Sequence, residues 1–233
     1  MVHGSLRLRI ARSRTALRSG LVLAGALVWS GTAFASGGSY VFDGGTAYQQ
    51  QQVRAALNAS SFNWSLVPEQ ITIHIAPIAV DQSTPGDIFL DPDLLNAGEF
   101  SWGVVQEEYA NQVDFFLLPS QDHATVNAAL GGTAWCYGDE AGLQLAQYGC
   151  ERFAATLTWS YWQSPENCMQ PSEVAGGVSS AMAPAAFRAL VTSLLGSTAQ
   201  TGPPPSGTLY GQAHITAKSI RLERLERRIG PGS

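Results

Sequence analysis

The chain has 233 residues, 13 of them basic and 18 acidic, for a formal net charge of −5, and 45% of it is hydrophobic. The charge is unevenly spread: positions 36–212 hold only Arg54, Arg152 and Arg188 against 16 carboxylates, a net charge of −13. Such a body repels nucleic acid and excludes it as a partner, while attracting cations and basic surfaces.

Five of the basic residues, Arg7, Arg9, Arg12, Arg14 and Arg18, precede the apolar run Gly20–Trp29, and Ala33-Phe34-Ala35 follows as a small-x-small site. Together they predict a secretory signal peptide over residues 1–35, cleaved near Ala35. The run is shorter than the roughly 20 apolar residues of a membrane anchor, and no later stretch qualifies. The expectation is therefore no transmembrane segment and a protein secreted to the extracellular space or held in the cell envelope. Three cysteines, Cys136, Cys150 and Cys168, allow one disulfide in an oxidising compartment, with three possible pairings. A bridge that holds the segment around Cys150 is expected, with its partner open. The spacings match no cysteine-rich zinc motif.

In chain order, the Gly- and Ser-rich stretch 36–46 predicts a flexible N-terminus. Ala47–Ala59 reads as a first helix. Ile71–Ala76 alternates in steps of two, so its isoleucines face a core and Thr72 and His74 face away. Asp87–Asp91 reads as a second strand, bounded by Pro85-Gly86 and Pro92. Trp102–Leu118 reads as a long helix ended near Pro119, and His123–Leu130 as a short one closed by Gly131-Gly132. A second long helix is expected over Leu143–Trp162, and Pro184 begins a last one that stops at Gly196. Residues 197–233 read as a Pro/Gly linker followed by a basic tail, which is suited to contact with anionic surfaces or is simply a solvated extension. The element order predicts one α+β domain over residues 47–196, a short sheet packed on two long helices.

The helix Trp102–Leu118 is apolar almost all round, apart from a strip containing Glu107, Glu108, Asn111 and Asp114. Glu107 and Asn111, four apart, share a face, the spacing of the two histidines in an H-E-x-x-H zinc helix. The order strand, D-I-F-L-D-P, W-G-V-V-Q-E-E-Y-A-N-Q-V-D-F-F-L-L, then G-C-E-R-F-A-A-T-L-T-W-S-Y-W resembles small secreted zincin-type metallopeptidases of the glutamate-zincin kind. The resemblance covers about Ile71 to Asn167. It implies a zincin-like core and a zinc cofactor, with Glu107 and Asn111 at the histidine positions, Glu108 at the general-base position and Glu151 at the third-ligand position. The chain departs from the pattern at both histidines. Neutral Asn is a poor zinc ligand and Glu differs from imidazole in charge and reach. Without a metal, Glu108 faces water of pKa about 15.7 in place of metal-bound water near 7.

Three readings of the strip follow: the solvent face of an amphipathic helix, a degenerate zincin site without catalytic zinc, or an oxygen-ligand site for calcium, magnesium or manganese. The second is favoured. It makes the protein a non-catalytic homologue, with no cofactor, that binds a peptide or protein in the former substrate cleft. The alternatives are an active metal-dependent hydrolase with Glu108 as general base, and an unrelated extracellular binding module. His74, His123 and His214 form no paired nitrogen site, and His74 reads as a satisfied strand residue. Trp135, Trp159, Tyr161 and Trp162 read as one aromatic cluster packed between the long helices.

Overall fold

A computed structural model of the chain describes residues 38–136, 139, 142–171 and 178–201. The expected signal peptide, most of the Pro/Gly linker and the basic tail, His214 included, lie outside the described residues. The fold is α+β.

Four strands form one sheet: β1 (Tyr40–Gly44), β2 (Ile71–Ile75), β3 (Gln82–Thr84) and β4 (Asp87–Leu90), in the spatial order β1-β2-β4-β3. The pairs β1/β2 and β2/β4 are parallel, whereas the edge strand β3 runs antiparallel to β4. Helix α1 (Ala47–Ala59) makes the crossover from β1 to β2, as a parallel pair requires. Its start is fixed by a capping box in which Gln49 N–H donates to Thr46 Oγ1 and Thr46 N–H donates to Gln49 Oε1. The hairpin β3–β4 turns at Pro85-Gly86, where Gly86 takes φ 88°, a conformation that favours glycine.

The strand over residues 71–75 follows its expected alternation: Ile71, Ile73 and Ile75 are buried, and Thr72 and His74 lie on the other face. Buried aliphatic side chains of this kind contribute roughly 1.5–3 kcal/mol each. With Ile88 and Leu90 they meet Val53 and Leu57 of α1 and Val105, Tyr109 and Val113 of α3 (Trp102–Leu117) in one core. Helix α2 is the single turn Pro92–Leu95, N-capped by Asp91. Helix α4 (Ser120–Leu130) follows Pro119, and α5 (Gly149–Tyr161) packs along α3. Helix α6 (Pro184–Leu195) packs on α5 and stops at Gly196, as its Pro and Gly predict. Beyond α6 the chain returns to the segment that follows α1, where Asn63 N–H donates to the Ala199 carbonyl and Thr201 N–H to the Ser61 carbonyl, both at 2.9 Å. No helix among the described residues is long and apolar enough to cross a membrane.

Three expectations need correction. The stretch expected to be a flexible N-terminus contains strand β1. Tyr40 and Phe42 turn inward, Tyr40 packing edge-on to Tyr109 at 6.5 Å, and this period-two pattern prevails over the flanking Gly and Ser. The helix expected from Leu143 begins only at Gly149. Before it, Tyr148 is extended and bridges Ala134, so Gly149 and Cys150 N–H groups donate to the Ala134 and Trp135 carbonyls at 2.8 Å. The disulfide joins Cys136 to Cys150 beside this bridge and leaves Cys168 outside it. The expected aromatic cluster is dispersed. Trp135 lies by His123 and Phe153, Tyr161 by Phe62, and Trp162 by Trp102, while Trp159 belongs to a separate small cluster with Val104, Ala155 and Met169.

Candidate functional site

Helix α3 is uninterrupted by proline from Trp102 to Leu117 and carries apolar residues on most of its circumference, so it is packed on nearly every side. All of its polar side chains but Asn111 are consequently buried as well, and several reach neighbouring elements. Gln106 Nε2 donates to the Ala56 carbonyl of α1 at 2.8 Å. Gln112 holds the β3–β4 hairpin: its Nε2 donates to the Thr84 and Asp87 carbonyls at 2.9 and 3.2 Å, and its Oε1 accepts from Gly86 N–H at 2.9 Å. At the first turn, a Cβ on Gly103 would stand 2.6 Å from Cys168 Sγ and 2.7 Å from Asn167 Oδ1, so only glycine lets that segment lie against the helix.

Glu107 and Glu108 are 3% and 6% exposed. That excludes the solvent face of an amphipathic helix as the explanation of the strip. Ser83 of the edge strand β3 places its Oγ 2.8 Å from both Glu108 Oε2 and the Glu108 carbonyl oxygen, so its single proton serves two acceptors. Half-buried Asn111 adds a longer contact, Nδ2 to Glu108 Oε2 at 3.4 Å. Glu151 stands half-buried in the first turn of α5, the helix packed along α3. The fold thus gathers Glu108, Asn111 and Ser83 directly, and keeps Glu107 on the same buried stretch of helix.

As a donor set for zinc, these residues fit poorly. Two carboxylates and a neutral amide supply no imidazole nitrogen, and Asn111 turns an N–H edge toward Glu108. Among the described residues, no group of three or more His, Cys, Asp or Glu is placed to hold a metal ion. The described histidines are engaged elsewhere. His74 lies on the sheet face away from α3.

His123 of α4 meets the end of the strip at Asp114. Its Nε2 lies 3.1 Å from Asp114 Oδ1 and equally 3.1 Å from the Leu118 carbonyl. Its ring stacks on Trp135 at 4.4 Å, and Trp135 Nε1 donates to Asp114 Oδ2 at 3.2 Å. Asp114 is 4% exposed. Burial pushes its carboxyl up from 3.8 to about 6, against the opposing pull of His123 and of the Trp135 N–H. A carboxyl raised in the folded state binds its proton more tightly there than in the unfolded chain. Its effect on stability is therefore a loss as pH rises from about 3.8 to about 6, complete above that window. Asp114→Asn, which keeps an acceptor for Trp135, is expected to stabilise the protein near pH 7 by on the order of 1–3 kcal/mol. It should also flatten the pH dependence between 4 and 6, as urea midpoints at several pH values would show.

Gln112, Ser83 and the Asp114–His123 pair were not marked as a set by the motif. Ser83 lies in a three-residue strand, too short to show alternation, and Gln112, although four residues after Glu108, is not part of the E-E-x-x-N pattern. No protein-family model, curated protein or solved structure matches this chain.

Proposed function

We propose that the protein is a secreted, zincin-like protein with a degenerate metal site, non-catalytic, whose former substrate cleft binds a peptide or protein. One arrangement carries the reading. Glu107 and Glu108 stand buried on α3, with Glu108 hydrogen-bonded to Ser83 of the antiparallel edge strand β3. Glu151 follows on a helix packed along α3, in the order the resemblance implies. Burying carboxylates is costly, and a helix with no inherited site beneath the sheet edge has no need of two in succession.

The chemistry argues against hydrolysis. Catalytic zinc needs three protein ligands and an open water position, and the residues at the two histidine positions here are Glu107 and Asn111. Without that ligand set, Glu108 lacks the metal-bound water of pKa near 7 on which a zincin general base acts.

The double variant Glu107→His, Asn111→His is expected to bind one zinc ion per chain, read by metal analysis after dialysis. Adding Glu151→Gln should weaken that binding by more than the roughly 10–100-fold typical of losing an outer partner. A double variant with unchanged circular dichroism that takes up no zinc removes the scaffold reading. Stoichiometric, tightly held zinc in the wild-type protein removes the degenerate-site reading.

A further inference from the structure

His74 sits at the centre of the sheet face that points away from the helices, with one carboxylate on each side. Its Nδ1 lies 2.8 Å from Asp43 Oδ2 of β1, and its Nε2 lies 2.8 Å from Asp87 Oδ1 of β4. Phe89 of β4 stacks on the ring at 4.6 Å with an interplanar angle of 11°, fixing its orientation. Neutral imidazole has a single N–H and would point a lone pair at one of the two carboxylates. Only imidazolium donates from both nitrogens. Residues of three adjacent strands thus meet on one proton-dependent group.

We propose that protonated His74 is a clasp that fastens the N-terminal strand β1 to β4 across β2, so that this edge of the sheet is held or released with the proton. β1 is an edge strand with β2 as its one neighbour in the sheet. On its inner side it is held by Tyr40 and Phe42, the latter under the Arg54 guanidinium at 4.7 Å. On its outer side, the ion pair from Asp43 to His74 is the charged attachment. The groups that face the ring are Asp43 from β1 and Asp87 from β4. The remaining strand, β3, carries Gln82, Ser83 and Thr84, none of them charged.

The hydrogen bond to Asp87 raises the His74 pKa most; burial, the next largest effect, lowers it, and the hydrogen bond to Asp43 and the charges of both carboxylates add to the rise, which is the net direction. The sign follows. A histidine raised in the closed state holds its proton there more firmly than when released. The clasp is fully present below about 6.5 and is lost as pH rises through the closed-state value. β1 keeps its pairing with β2 and its inner contacts, so losing the clasp makes opening of this edge more frequent, and each opening uncovers an edge of β2 to which another extended segment can add.

The test combines two readings on the full chain. The His74 ring proton, assigned by its absence in His74→Asn, should titrate above about 6.5 by NMR. Amide exchange of Val41–Gly44, corrected for its intrinsic pH dependence, should be slower at pH 5.5 than at pH 8.5. Linkage ties the two together: the change in protection should be about tenfold for each unit by which the midpoint exceeds the ordinary value. Asp43→Asn, at a side chain that is 72% exposed, should leave the fold intact, lower the midpoint and shrink the change. A midpoint at or below the ordinary value overturns the proposal. So does β1 protection that is indifferent to pH, or equally pH-dependent in wild type and Asp43→Asn.

Discussion

Replacing Trp64 with alanine is expected to destabilise the protein by about 3–5 kcal/mol, the range for removing a fully buried large aromatic side chain. Trp64 is 0% exposed. Its ring packs against Phe62 at 4.8 Å and against Tyr109 of α3 at 5.3 Å, and its Nε1 donates to the Leu57 carbonyl at the end of α1 at 3.1 Å. The substitution therefore leaves a cavity under α3 and also strips a buried carbonyl of its donor, two costs that add. Against a total stability of about 5–15 kcal/mol for a domain of this size, about a fifth or more of the margin disappears. Urea denaturation followed by near-ultraviolet circular dichroism would measure it. A loss below about 1 kcal/mol would mean that Trp64 is not the wedge between α1 and α3 that its contacts make it.

Removal of the Cys136–Cys150 bridge by a double serine substitution should cost about 3 kcal/mol, the loop-closure value for a loop of about 15 residues. The sequence separation is 14. The bond closes the segment that carries Trp135 onto the start of α5, and Trp135 in turn stacks on His123 and donates to Asp114. The expected signature is therefore wider than a shifted midpoint. Hydrogen exchange should quicken in α4 and at residues 133–136 while β2 and β4 keep their protection. Uniform quickening across the sheet and α4 alike would show that the bridge stabilises the whole fold through the unfolded chain alone.

Much of this architecture is legible in the amino-acid order because local signals agree with the tertiary outcome. α1 spans the expected Ala47–Ala59, and α6 runs from Pro184 to its stop at Gly196 as those two residues predict. The Ile71–Ile75 alternation gives both a strand and its buried face. What is not legible depends on partners distant in sequence. Tyr40–Gly44 becomes a strand because β2 accepts it in parallel, and nothing local marks a parallel partner 31 residues away. Tyr148 leaves the helix expected there because Ala134 and Trp135 take its neighbours' N–H groups. The helix expected over Trp102–Leu118 forms as α3, yet burial of both glutamates follows from how many elements surround it, a quantity periodicity does not encode. Gln112 shows the same limit: a buried glutamine that pins a hairpin is indistinguishable in sequence from one on a surface.

On the proposed reading, the bond between Ser83 and Glu108 would bear on any guest. A donor aimed at Glu108 Oε2 would compete there with the hydroxyl of an edge strand. Because the same hydroxyl also lies against the Glu108 carbonyl, displacing it would remove one tie between strand and helix, while Gln112 would still hold the hairpin at Gly86 and Thr84. Admission to this oxygen would then be selective for guests that replace what Ser83 gives up, and a molecule that merely fits the space would find the door held from inside.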